Sequence, residues 1–158
     1  MPSLMPGMPG AKEAYGISRV LEGYTVTVPP RALERYGIGD VEPVILTTSH
    51  PGEAGFNLWV ERRARDTVLA GRIDRLEGGK IVQWIEGRAY ARSEVKQGRL
   101  RLAPELMGAF RLEAGNRLLV VKSAEVAMSF IPVELWREKL VQRGFHEAAG
   151  RLADLEEF

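Results

Sequence analysis

Residues 24–47 and residues 98–121 of this chain lie on one another without a gap at an offset of 74 positions. Val26 meets Leu100, Val28 meets Leu102 and Pro30 meets Pro104. Leu33 meets Met107, Tyr36 meets Phe110 and Ile38 meets Leu112. Val44, Ile45 and Leu46 meet Leu118, Leu119 and Val120. Few residues are identical; what recurs is the order of apolar positions and one proline. A repeated pattern at one register points to two like units in one chain.

Each copy reads the same way. A short alternating strand comes first, through Val26 and Val28 or Leu100 and Leu102. A proline then stops the strand and opens a short helix, because its fixed φ suits a first helical turn. The helices are expected near 29–36 and 104–110. Gly37 supplies the left-handed residue that ends the first. Arg111 stands at the matching place in the second, so a different cap is expected there. A hairpin follows in each copy: Pro43–Thr48 with Phe56–Glu61, and Arg117–Lys122 with Val126–Ile131. Between the copies, Leu69, Ile73 and Leu76 suggest one helix over 64–76. Gly78 and Gly79 turn the chain, and strands are expected over 80–87 and 90–95. Past Pro132, the pattern of Leu135, Trp136 and Leu140 indicates an amphipathic helix ending at Gly144, with a second helix over 145–155. The organisation that emerges is a flexible leader (1–14), a first repeat (15–62), a connection (63–88), a second repeat (89–131) and C-terminal helices (132–158).

The residues Gly98-Arg99-Leu100-Arg101-Leu102-Ala103-Pro104, followed by Leu112-Glu113-Ala114-Gly115-Asn116-Arg117 and the apolar run Leu118–Val121, resemble the SpoVT–AbrB motif. The first copy resembles it in Val28-Pro29, Gly37-Ile38 and Val44–Leu46. The tandem layout is similar to the MraZ-like branch, with Gln97-Gly98-Arg99 leading into the second copy and Ser129–Pro132 leading out towards Trp136. The resemblance implies a mostly β fold with helices, in which two swapped-hairpin copies interleave into one small barrel as an intrachain pseudo-dimer. It also implies a transcriptional regulator that contacts double-stranded DNA through first-strand arginines and assembles into a homodimer or larger ring. A cytoplasmic, nucleoid-associated location follows from that role.

Charge narrows the candidate contacts. The net charge is only +1, so binding to nucleic acid must rest on local charge. Residues 87–111 carry six cations (Arg88, Arg92, Lys96, Arg99, Arg101, Arg111) against Glu94 and Glu105, whereas 145–158 is acidic. On a strand, Arg99 and Arg101 face one way and Leu100 and Leu102 the other. Two guanidiniums on an open face suit phosphate or guanine. Arg92 and Lys96 are expected to extend that patch. Arg19, Arg31 and Arg35 are the first copy's candidates, with Arg31 and Arg35 on one helix face and Thr25 and Thr27 where the second copy has strand arginines.

Other classes find less in the sequence. The chain has no cysteine, which removes thiol chemistry and Cys-based metal sites. His50 and His146 have no ligand spacing around them, so neither a metal nor another cofactor is expected. No nucleophile elbow, phosphate-binding glycine loop or metal motif appears, and no catalytic residue is assigned. The alternative to a DNA-binding regulator is a protein-interaction or oligomerisation module on the same barrel.

Overall fold

A computed structural model describes residues 14–50, 52–124, 126–146, 150 and 155–158. The leader expected over 1–14 and most of the helix expected over 145–155 lie outside these residues, apart from Ala14, which opens the first strand.

The elements run β1 (Ala14–Arg19), β2 (Thr25–Thr27), α1 (Pro30–Tyr36), β3 (Val41–Thr48), β4 (Phe56–Val60), α2 (Glu61–Ala64), α3 (Ala70–Asp74), β5 (Gln83–Ile85), β6 (Arg88–Lys96), β7 (Arg99–Arg101), α4 (Pro104–Ala109), β8 (Arg117–Ala124), β9 (Ala127–Pro132) and α5 (Val133–Gln142). All of the strands join one antiparallel sheet in the order β1-β8-β9-β4-β3-β6-β7-β2, with β5 added to β6. The sheet curls until its ends nearly meet. The Ser18 hydroxyl on β1 donates to the Thr27 carbonyl on β2, and the Leu21 amide donates to the Thr25 carbonyl at 2.9 Å. The result is a nearly closed β barrel with a few helices.

Strand pairing crosses between the halves of the chain. β1 pairs with β8, and β6 pairs with β3. At the last position of the sheet β2 lies against β7 with Val26 opposite Leu100, 74 positions apart. In the middle of the strand order β4 lies against β9 with Asn57 opposite Ser129, 72 positions apart. The second hairpin loop is two residues shorter, which accounts for the change of offset. Each half therefore supplies alternate walls of one core.

That core is apolar and well filled. Phe56 and Phe130 sit opposite one another across β4 and β9 with ring centroids 4.7 Å apart, and Phe110 stacks on Phe56 at 5.3 Å. All three are fully buried. The Tyr36 hydroxyl, also enclosed, donates to the Ala127 carbonyl at 2.8 Å, which satisfies a polar atom that would otherwise cost about 1–3 kcal/mol. Two smaller apolar layers lie outside the barrel. One packs α5 on Ile17, Leu119 and Ile131 through Val133, Trp136 and Leu140. The other packs the α2–α3 region on Ile45 and Tyr90 through Ala64, Leu69 and Ile73.

Several local expectations need correction. Of the helix expected over 64–76, only α3 (Ala70–Asp74) forms; α2 ends at Ala64, and the residues between them form a turn held by Thr67. Its hydroxyl donates to the Ala64 carbonyl at 2.6 Å and accepts the Leu69 amide at 3.1 Å. The strand expected over 80–87 shrinks to Gln83–Ile85, and the one expected over 90–95 grows to Arg88–Lys96. The caps of α1 and α4 do not differ as expected. Arg111 takes a left-handed φ of 55°, close to the 64° of Gly37. The closing bonds match as well: the Ile38 amide donates to Leu33 and the Leu112 amide to Met107, both at 2.9 Å. For a residue with a Cβ that conformation costs about 1–2 kcal/mol. Arg111 offsets part of the cost by donating to the Gly52 carbonyl at 2.7 Å.

Candidate nucleic-acid interface

The candidate interface is built on the β2–β7 ribbon. β6 and β7 form a tight hairpin through Gln97 and Gly98, with φ of 48° and 75°. Two successive left-handed residues give the turn whose twist suits a two-residue hairpin. The ribbon continues past its strands, because the Val28 amide donates to the Gly98 carbonyl and the Leu102 amide to the Tyr24 carbonyl, both at 2.8 Å. Its inner face is Val26 and Leu100, both fully buried. That burial fixes the outer face: Arg99 stands opposite Thr27 and Arg101 opposite Thr25.

On the other side of β7, Lys96 of β6 stands directly opposite Arg99. Thr25, Ser93, Glu94, Lys96, Arg99 and Arg101 line an open cleft of about 530 Å³. Lys96 pairs with Glu94 at 3.0 Å, both side chains being largely exposed. Arg99 and Arg101 are exposed, and neither has an ion-pair or hydrogen-bond partner among the described residues. Two residues along a strand span about 6.8 Å, which matches about two base steps of a duplex. Chemically the ribbon offers a pair of forked cations beside two threonine hydroxyls on a firm, hydrogen-bonded base.

The remaining sequence candidates go elsewhere. Arg92 is on β6 but points at the α2–α3 layer, donating to Glu61 Oε1 at 3.4 Å and to the Ile73 carbonyl at 3.3 Å. Arg19, on β1, is paired with Glu157 at 3.2 Å. Arg31 and Arg35 ride on α1 beyond β2, and the Arg35 guanidinium lies 5.7 Å from the Tyr36 ring centroid. The cleft thus brings together Arg99, Arg101 and Lys96, and leaves out Arg92, Arg19, Arg31 and Arg35. Arg62 has a local structural task, donating to the Gly37 carbonyl at the end of α1 at 2.7 Å.

Sequence reasoning did not single out Arg117. It stands directly opposite Arg19 across β1 and β8, and both reach Glu157. Only pairing across the two halves reveals that neighbourhood. Elsewhere, Arg72 is held above its ordinary pKa by the Glu86 carboxylate, with a further contribution from Tyr90. Among the described residues there is no group of three or more His, Asp or Glu side chains placed to hold a metal, and no helix is long and apolar enough to cross a membrane. His50 is exposed in the first hairpin loop.

No family model matches the chain, and no curated protein matches it as a relative.

Proposed function

We propose that this chain is a double-stranded-DNA-binding transcriptional regulator of the SpoVT–AbrB type, in an MraZ-like tandem arrangement. The observation that carries the reading is the pair of guanidiniums, Arg99 and Arg101, without a partner among the described residues, on the outer face of β7, which lies between β6 and β2 at the end of the sheet. Arg forks suit both guanine edges and phosphates. Lys96 adds a phosphate contact, and Thr25 and Thr27 offer hydroxyls to the same backbone.

The fold behind this reading is an intrachain pseudo-dimer of swapped hairpins. Its support is the crossed pairing of β1 with β8 and of β6 with β3, together with the matched register at Val26 with Leu100 and Asn57 with Ser129. A homodimer or ring is part of the proposal. Val68, Ile81 and Trp84 are between 50% and 91% exposed on the α3–β5 side, an apolar surface that self-association would cover. A cytoplasmic, nucleoid-associated protein without a cofactor or an enzymatic step is the form of the proposal.

The same exposed Trp84 and Val68 favour a second reading, a protein-interaction module on this barrel. Fluorescence anisotropy separates the two. The purified protein is titrated onto the duplex upstream of its own gene and onto a scrambled duplex, at several salt concentrations. A regulator binds the upstream duplex more tightly and with a clear salt slope, because phosphate contacts release counterions. Absence of binding to either duplex at low salt rejects the DNA reading in favour of the protein module.

A further inference from the structure

Arg19 and Arg117 form a directly opposed like-charged pair on β1 and β8. Such a pair destabilises a sheet unless something anionic lies between its members. Here a single oxygen does so: Glu157 Oε1 accepts from Arg19 Nε at 3.2 Å and from Arg117 Nε at 3.4 Å. The carboxylate arrives on a short segment laid along the outer edge of β1. The Ile17 amide donates to the Glu156 carbonyl at 2.8 Å, and the Phe158 amide donates to the Ile17 carbonyl at 2.7 Å. Gly16 makes room for it, since a Cβ there would stand 2.7 Å from the Glu156 carbonyl oxygen and 2.8 Å from the Phe158 ring. At the matching register in the other half, Pro43 faces Glu94, so the paired cations belong to this edge alone.

We infer that Arg19 and Arg117 are a second anion site, built for a backbone phosphate, and that Glu157 occupies it in the absence of nucleic acid. The chemistry of the occupant identifies the ligand class: one oxyanion accepting from two converging guanidiniums. The location fits a continuation of the ribbon, because Arg19 follows Ser18, whose hydroxyl bonds the β2 carbonyl of Thr27. The segment Leu155–Phe158 is held by three backbone hydrogen bonds to β1, by Leu155 packed against the α5 layer and by exposed ion pairs, and the ion pairs are the contacts a polyanion displaces. Bound duplex takes Glu157's place, and the segment leaves β1. The identity of the polyanion rests on the DNA reading; the anion site itself does not.

The test uses the full-length protein and its Glu157→Gln variant. Duplex affinity is measured against salt, alongside hydrogen exchange at the Ile17 and Phe158 amides. The variant is expected to bind duplex about threefold more tightly at low salt, the size of one exposed ion pair. Its salt slope should stay close to that of the wild type, because the same phosphates meet Arg19 and Arg117 in both proteins. Adding Arg117→Gln to the variant should cancel the gain in affinity and make the slope shallower by about one unit. In the wild type, duplex should accelerate exchange at both amides. Binding by the wild type with unchanged exchange, and no gain in Glu157→Gln, overturns the inference and leaves the ribbon proposal standing. If neither protein binds duplex, the DNA reading has failed and inorganic tripolyphosphate decides the site. Shifted Arg19 and Arg117 Nε resonances in Glu157→Gln uphold it, and unshifted ones overturn it.

Discussion

The two halves of this barrel agree on the inside and part company on the outside. Facing inward, Val26 answers Leu100, Val28 answers Leu102 and Tyr36 answers Phe110, and all six are buried in one cluster. Facing outward at the same places, Thr25 and Thr27 stand where the second half has Arg99 and Arg101, and Arg31 stands where it has Glu105. Burial explains the agreement. Each half lines the other's core, so a change of volume on either side is felt by both. The outward positions carry no such constraint and are free to specialise. Only one of these two strands is cationic, so the proposed anion contact falls to one half of the frame.

The outer layers repeat the contrast. α5 covers one face with Trp136 and Leu140, while the α2–α3 region covers the other and leaves Trp84 59% exposed beside it. The buried Trp136 indole N–H has no partner among the described residues, whereas Trp59 on the other face donates to Thr47 Oγ1 at 3.1 Å. The face left with Trp84 exposed is the one the proposed self-association would cover.

The comparison breaks most visibly through the core. Phe130→Ala and Phe56→Ala should each cost about 4 kcal/mol, and the double variant should cost less than their sum because the rings stack. Urea unfolding followed by far- and near-ultraviolet circular dichroism checks this. The interleaved core requires one coincident transition in each variant, and separate unfolding of the two halves would disprove shared walls.

A smaller effect sharpens it at the helix ends. Gly37→Ala should destabilise by about 1 kcal/mol, since a Cβ is strained at that φ. Arg111→Gly should stabilise by at most about 0.5 kcal/mol, the relief of strain being partly offset by the freer unfolded chain and by the lost bond to the Gly52 carbonyl. Thermal unfolding of both variants measures the pair. Opposite signs support equivalent caps; like signs would mean that the caps differ after all.

Much of this fold could be read from the chain. The offset of 74, the two proline-opened helices and both hairpins came from apolar spacing alone, because those elements alternate cleanly between core and solvent. β1 was not read as a strand. Its pattern is brief, Gly16 interrupts it, and its partner lies a hundred residues on. The break at Thr67 turns on one hydroxyl choosing its own backbone over solvent, which periodicity does not record. For the site, the alternation of Arg99 and Arg101 with Leu100 and Leu102 set the outward face correctly, and Lys96 joined them as expected. Arg92 did not, although it shares a strand face with Lys96, because Glu61 at the start of α2 meets it. Closeness along a strand fixes the side of the sheet but not what lies above it.

The central claim is that Arg99 and Arg101 bind nucleic-acid phosphate or base edges from a ribbon whose framework does not depend on them. The most direct test is the salt dependence of duplex affinity for the wild type and for the double variant Arg99→Ala with Arg101→Ala. Both side chains are exposed and without a partner among the described residues, so thermal stability should change by no more than about 0.5 kcal/mol. Affinity should fall by at least about tenfold, and the slope of log K against log salt should become shallower by up to about two units. An unchanged slope and affinity in a folded double variant would contradict the account.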